Sequence, residues 1–130
     1  GVEDRVRFEC ANAFDFLRAQ QTAKAQYDVV ILDPPAFTKT RSAVEGALRG
    51  YKEINLRGMK LTRDGGFFIT CSCSQHVTPD LFRGMLMDAQ KDAHVQLRQI
   101  EWRTQGRDHP ILLASPETQY LKCGIFQVFK

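Results

Sequence analysis

The sequence predicts an α/β fold, a three-layer sandwich on a mostly parallel sheet, with one antiparallel strand near the C-terminus. Three observations predict it. The unbroken apolar run Val29-Val30-Ile31-Leu32 reads as a strand buried on both faces, the habit of parallel sheets. Strand-like segments alternate with segments of helical period through most of the chain. The last two strand-like segments have no helix between them, so that pair is free to run antiparallel.

The elements follow in order. Val6 and Phe8 alternate with Arg5, Arg7 and Glu9, which predicts a short half-buried strand. Asn12 is a good helix N-cap, Asp15 follows in the first turn, and Phe14 and Leu17 give the helix its apolar side until about Thr22. The central strand Tyr27 to Leu32 stops at Asp33, because Pro34 and Pro35 forbid both further strand and an immediate helix. Ala47, Tyr51, Ile54, Gly58 and Leu61 step by four and three, so 45–62 is an amphipathic helix. The turn chemistry of Asp64-Gly65-Gly66 ends it. Phe67 to Thr70 is a second buried strand running into Cys71-Ser72-Cys73-Ser74. Thr78 caps a third helix with Pro79 at its first position, and Leu81, Phe82, Met85, Leu86 and Ala89 form its buried stripe. Residues 95–102 and 125–129 read as closing strands. Between them lie roughly twenty residues without periodicity, a length that in a compact domain marks a functional loop.

The 130 residues allow one domain with a real core, here 1–130 without an internal linker. No apolar run approaches membrane-spanning length, so no membrane association is expected. Gly1 is not an initiator Met and the first residues are not a signal peptide, so the chain is expected to be a piece of something longer. Four cysteines in a chain this apolar do not make a disulfide framework, which points to a reducing, cytoplasmic location. Cys71-x-Cys73 followed by His76 lacks the spacing and the fourth partner of a zinc site, and no metal is expected. The formal charge of +3 permits a nucleic-acid partner without demanding one.

Two strands then end in chemistry-bearing residues, Asp33 and Cys73, and should face one crevice at the carboxyl ends of the sheet, where open α/β folds bind ligands. Cys73 has two readings. It is a nucleophile whose thiolate is favoured by the helix start at Thr78, or a small buried hydrophobe, a role that suits Cys71 better. Lys39, Arg41, Arg49, Lys52, Arg57, Lys60 and Arg63 meet only Glu45 and Glu53 in that stretch, which suits phosphate contacts or a solvated helix face. The late loop gathers Asp108-His109-Pro110 and the stretch ETQYLK, residues 117–122. From the residues alone, His109 and His76 read as local hydrogen-bonding histidines rather than acid or base groups.

DPPAF at 33–37, RGYKEINLRGMKL at 49–61, SCS at 72–74 and the late-loop DHP and ETQYLK occur together in one order. In this combination the chain resembles the catalytic domain of the bacterial large-subunit ribosomal RNA 5-methylcytosine methyltransferases, which use S-adenosylmethionine. The resemblance covers nearly the whole chain. It implies a partial class I, Rossmann-like methyltransferase fold whose first two strands, Gly-rich cofactor loop and ribose-binding acid lie outside these residues. It implies Cys73 as the nucleophile that adds to carbon 6 of the pyrimidine, and Asp33 as the group acting on the base edge, with burial favouring its protonated form. Asn12, Ala13, Asp33 and Pro34 would bind S-adenosylmethionine. Pro35, Phe37, Lys39, Arg49, Tyr51, Lys52 and His109 would face ribosomal RNA, with Pro34, Pro35 and Phe37 walling a flipped base.

The chain departs from the family at two places. Asn12 stands where relatives more often carry an Asp for the adenine amino group, and its side-chain oxygen can still accept that bond. Ala36 stands where related RNA enzymes place a second cysteine, leaving the base that removes the carbon 5 proton unassigned. Two alternatives stay open: an amino-group methyltransferase gripping its target with Asp33-Pro34-Pro35, and an inactive fragment that only self-associates or binds RNA. With the first two strands absent, the edge of Val29 to Leu32 would lack a neighbour and is expected to pair with a second copy or with the Val6 strand.

Overall fold

The computed structural model describes all 130 residues, Gly1–Lys130. Its order is α1 (Ala13–Thr22), β1 (Tyr27–Leu32), α2 (Val44–Leu61, entered through a short 3-10 turn at Arg41–Ala43), β2 (Thr62–Ser72), α3 (Pro79–Ala93), β3 (Gln96–Arg103) and β4 (Lys122–Phe129). The four strands form one sheet in the order β1-β2-β4-β3. β1 and β2 run parallel, while β4 lies antiparallel between β2 and β3. Three strands therefore share one direction and the last strand opposes them.

Local chemistry places the helix starts where the sequence marks them. The Asn12 side-chain oxygen accepts from the backbone N–H groups of Phe14 and Asp15, and the Thr78 hydroxyl accepts from that of Leu81. α3 stops at His94, whose left-handed backbone (φ 56°) lets its N–H reach the carbonyls of Gln90 and Lys91. The Asp64-Gly65-Gly66 turn does not end α2. Thr62 caps the helix directly, and the turn is a bulge inside β2, between the pairs Tyr27–Thr62 and Val29–Phe67, with Gly65 at φ 74°.

The core lies on one face of the sheet. Val30 and Leu32 of β1, Phe68 of β2 and Phe126 and Val128 of β4 point toward Tyr51 and Met59 of α2 and Phe82, Met85, Leu86 and Ala89 of α3. A smaller cluster seats α1 on α2 through Leu17, Ile54 and Leu61. A run of aromatic contacts, Phe14–Phe37–Tyr51–Phe82–Trp102, threads from α1 to β3 with centroid separations of 4.5 to 6.2 Å.

Four expectations are corrected here. The three-layer sandwich is present as two layers, because every helix packs on the same face. β1 is accordingly not buried on both faces: Val29 and Ile31 are 50% and 62% exposed on the open side, beside Phe67 at 41%. Residues 6–8 form no strand. They have no ladder to join, Phe8 is 92% exposed, and the outer edge of β1 stays unpaired. Leu81 leaves the predicted stripe of α3 for solvent, and Ala93 joins it. No helix is long and apolar enough to cross a membrane.

Candidate active site

At the carboxyl end of β1 the chain leaves the sheet as Asp33-Pro34-Pro35-Ala36-Phe37-Thr38-Lys39. Asp33, Pro34, Pro35 and Phe37 of this stretch line one cleft, and Ala36, Thr38 and Lys39 line another. The first is a cleft of about 440 Å³ lined by Asn12, Ala13, Phe14, Ile31, Leu32, Asp33, Pro34, Pro35, Phe37 and Ile54. The second is a cleft of about 250 Å³ lined by Ala36, Thr38, Lys39, Cys73, Ser74, Gln75 and His76. The single crevice expected for Asp33 and Cys73 is thus two clefts with residues 33–39 as the wall between them.

The first cleft gathers all four residues expected at the cofactor: Asn12, Ala13, Asp33 and Pro34. It pairs apolar walls with one carboxylate and one amide at the start of α1, a composition that fits the flat, polar-edged adenosine end of S-adenosylmethionine. Two details differ from expectation. The Asn12 oxygen already accepts two backbone N–H groups at 3.0 and 3.3 Å, so what Asn12 can offer a ligand is its Nδ2 donor. The burial expected of Asp33 is absent, since its side chain is exposed.

In the second cleft Cys73 is half-buried at the carboxyl end of β2, just past the ladder. Cys71 differs sharply, although it is only two residues away. It lies directly opposite Cys123 in the β2–β4 ladder. Burial, the Cys123 thiol and the Asp33 charge together push the Cys71 thiol up to about 12, so it carries essentially no thiolate at neutral pH.

The clefts rest on a network of buried polar groups, of which Tyr51 and Asn55 come from α2 and the others from β2 and the adjoining loops. Thr70 Oγ1 donates to Asn55 Oδ1 at 2.6 Å, and Asn55 Nδ2 donates to the Tyr51 carbonyl at 2.8 Å. Ser72 Oγ donates to the Tyr51 phenolic oxygen, and Ser74 Oγ donates to the Thr38 carbonyl at 3.2 Å. Each of these groups is buried and each has a partner, so the network fixes the loops instead of weakening the core. Lys122, fully buried on β4, adds its Nζ to the carbonyls of Ser74 and Tyr120. No role was read for Lys122 from the sequence. The signal was available, because Lys122, Gly124, Phe126 and Val128 alternate in the buried phase of one strand.

Several residues expected to face RNA do not reach these clefts. Tyr51 is fully buried between Phe37 and Phe82, and it supports the site from below. Phe37 has its ring 4.5 Å from that of Tyr51, engaged in the core as well as edging the first cleft. Arg49 and Lys52 line a different groove, between α2 and α3, where they pair with Glu45 and Asp92. Arg57 pairs with Glu53, and Arg63 with Asp28, so the basic stretch is more neutralised than its local sequence suggests. Lys39 does line the Cys73 cleft, and Pro35 lines the Asp33 cleft. His109 sits on the exposed late loop, 3.3 Å from the Asp108 carboxylate and edge-on to Tyr120, outside both clefts.

The fold matches solved methyltransferases. SMU.776, assigned as a methyltransferase and solved in complex with SAH, superposes with a TM-score of 0.75 over 90% of this chain and 30% of its own, at 17% identity. At that identity the likeness establishes the fold alone. In sequence, the chain is 42% identical over 127 residues to ribosomal RNA large subunit methyltransferase I of Shewanella frigidimarina. It is 40% identical over 126 residues to a Methanocaldococcus jannaschii protein assigned as a ribosomal RNA large subunit methyltransferase. These matches cover 98% and 97% of this chain, which in turn spans about a third of the length of these curated relatives, 32% of each. No family model matches the chain.

Proposed function

We propose that these residues are the catalytic part of an S-adenosylmethionine-dependent enzyme that methylates carbon 5 of a cytosine in large-subunit ribosomal RNA, through a covalent adduct to Cys73. One observation carries the reading. Cys73 lines a cleft with Lys39, Gln75 and His76, whereas Cys71, equally half-buried, lies opposite Cys123 in the sheet ladder with its thiol pushed up. The identity to ribosomal RNA large subunit methyltransferases over nearly the whole chain supports the substrate class.

The chemistry asks for such a thiol. Carbon 5 of a pyrimidine is a poor nucleophile, and addition of the Cys73 thiolate to carbon 6 turns the ring into an enamine that can be methylated. Asn12, Ala13, Asp33 and Pro34 would hold S-adenosylmethionine, whose sulfonium would give its methyl to carbon 5 and leave as the thioether S-adenosylhomocysteine. Asp33 would bond or protonate the base edge as negative charge develops there. Loss of the carbon 5 proton to a base then lets the carbon–sulfur bond break, with its electrons returning to Cys73 as thiolate. Lys39, beside the thiol, suits a phosphate of the RNA strand. The unpaired edge of β1 and the apolar face beside it favour pairing with a second copy when nothing else covers them.

A second reading is favoured by the wall at residues 33–39. Because Asp33 and Cys73 line different clefts, Asp33-Pro34-Pro35 could grip an amino group with no covalent step. Methyl transfer by the full-length protein to ribosomal RNA separates the two. Cys73→Ala should abolish it, and Cys71→Ala should leave most of it. Full activity in Cys73→Ala would remove the covalent mechanism and leave the amino-group reading.

A further inference from the structure

Lys122 is the buried cation of this fold, 1% exposed, and the chemistry proposed above does not use it. It enters β4 opposite Ser72, on the face covered by helices. Its Nζ donates to the carbonyl oxygens of Ser74 at 2.5 Å and Tyr120 at 2.9 Å. Removing an ammonium from water costs several kcal/mol, and buried ammonium groups are normally repaid by a carboxylate. Here the acceptors are two neutral carbonyls. Cys73 directly precedes Ser74, so the ammonium is held one residue from the thiol, whose cleft Lys39 and His76 also line. Tyr51 on α2 lies beneath the same turn, and its phenolic oxygen accepts from Ser72 Oγ.

Two carbonyls could be satisfied by a neutral amide at far lower desolvation cost, so a positive charge here needs another purpose. We propose that Lys122 is a positioning residue for Cys73: it fixes the turn at Ser74 from inside the fold and sets a buried positive charge beside the thiol, favouring the thiolate. Its use in catalysis rests on the reading of Cys73 as nucleophile. Its effect on the thiol does not.

The test is alkylation of the 130-residue chain by iodoacetamide between about pH 6 and 10, with each cysteine's rate read by mass spectrometry of the digested protein. Exposed Cys10 is the internal reference. Cys73 should reach half its limiting rate at lower pH than Cys10. Lys122→Met should move the Cys73 profile to higher pH and slow it about tenfold at neutral pH, a change of one unit in thiol acidity, with Cys10 unmoved. Lys122→Arg, which keeps the charge, should restore most of the rate. A wild-type Cys73 profile that coincides with that of Cys10 overturns the proposal without any variant, so the question stays decidable even if Lys122→Met does not fold. A folded Lys122→Met chain with an unchanged Cys73 profile overturns it as well. If Lys122 governs the thiol but Cys73→Ala still methylates RNA, the effect of Lys122 stands and the catalytic reading of Cys73 falls.

Discussion

The Ser72 hydroxyl donates to the phenolic oxygen of Tyr51 at 3.0 Å, and this bond ties the strand leading to Cys73 to the middle of α2. Both side chains are fully buried. The same Ser72 oxygen accepts from the Ser74 N–H, and Ser74 in turn holds the Thr38 carbonyl. The two loops that wall the Cys73 cleft therefore hang from one line of buried hydroxyls anchored on a helix. A tyrosine expected at the substrate is instead a buried support of the Cys73 cleft.

That arrangement predicts coupling. Tyr51→Phe and Ser72→Ala should each destabilise the chain by about 1 to 2 kcal/mol, since each leaves a buried hydroxyl partner short of a bond. The double variant should lose less than the two together by about 0.5 to 1.5 kcal/mol, measured by urea denaturation. Effects that simply add would mean the bond contributes nothing beyond packing.

Two glycines should respond oppositely to alanine. At Gly58 of α2 a Cβ would lie 2.7 Å from the Phe68 ring and 2.9 Å from Leu32 Cδ1, because the helix sits close on β1 and β2 there. Gly58→Ala should cost about 1 to 3 kcal/mol by overpacking. Gly84 lies on the exposed side of α3 with nothing near its missing Cβ. Gly84→Ala should stabilise by about 0.5 to 1 kcal/mol through helix propensity. Thermal unfolding of the pair checks the sign of each.

Asn12 should matter to the fold before it matters to any ligand. Asn12→Ala removes the acceptor for the Phe14 and Asp15 N–H groups and should cost about 1 kcal/mol. Asn12→Asp keeps the cap and adds charge at the positive end of α1, for a gain of a few tenths of a kcal/mol, about the lower range of such dipole effects. Urea midpoints of the three proteins would show whether the order is Asp, Asn, Ala.

What could be read beforehand divides along physical lines. Asn12, Thr78 and Pro79 act on their immediate neighbours, so the helix starts were legible in the sequence. The apolar run of β1 was legible as a strand, but its burial was not. Burial depends on what covers each face, and the pattern Val29 to Leu32 does not reveal that the Val29 and Ile31 side stays open. Tyr51 shows two signals in conflict. The helical period placed it in the buried stripe, family resemblance placed it at the substrate, and the period matches the structure. The strand-like pattern starts only at Ile125, three residues after β4 begins, and this hides the alternation that puts Lys122 in a buried position. The separation of Asp33 from Cys73 was not legible either, since it arises from the direction the backbone takes after the two prolines.

The last prediction concerns the alkaline side of stability. Burial pulls the Lys122 ammonium down to about 8 from its ordinary 10.5. A base with a lowered folded pKa holds its proton less tightly in the folded chain than in the unfolded one. Below about pH 8 both states are protonated, and the cost of burying the charge is present in full. Between about 8 and 10.5 the unfolded chain binds more protons, so the Lys122 contribution to stability rises with pH. Because Lys122→Met should itself alter the Cys73 thiol, the Lys122 protein and Lys122→Met are both compared in a Cys73→Ala background. The stability of the Lys122 protein relative to Lys122→Met should therefore climb from about pH 7 to about pH 10, by an amount on the order of 2 kcal/mol, read from urea midpoints at each pH. A difference that stays flat across that range would mean that folding leaves the Lys122 proton affinity unchanged.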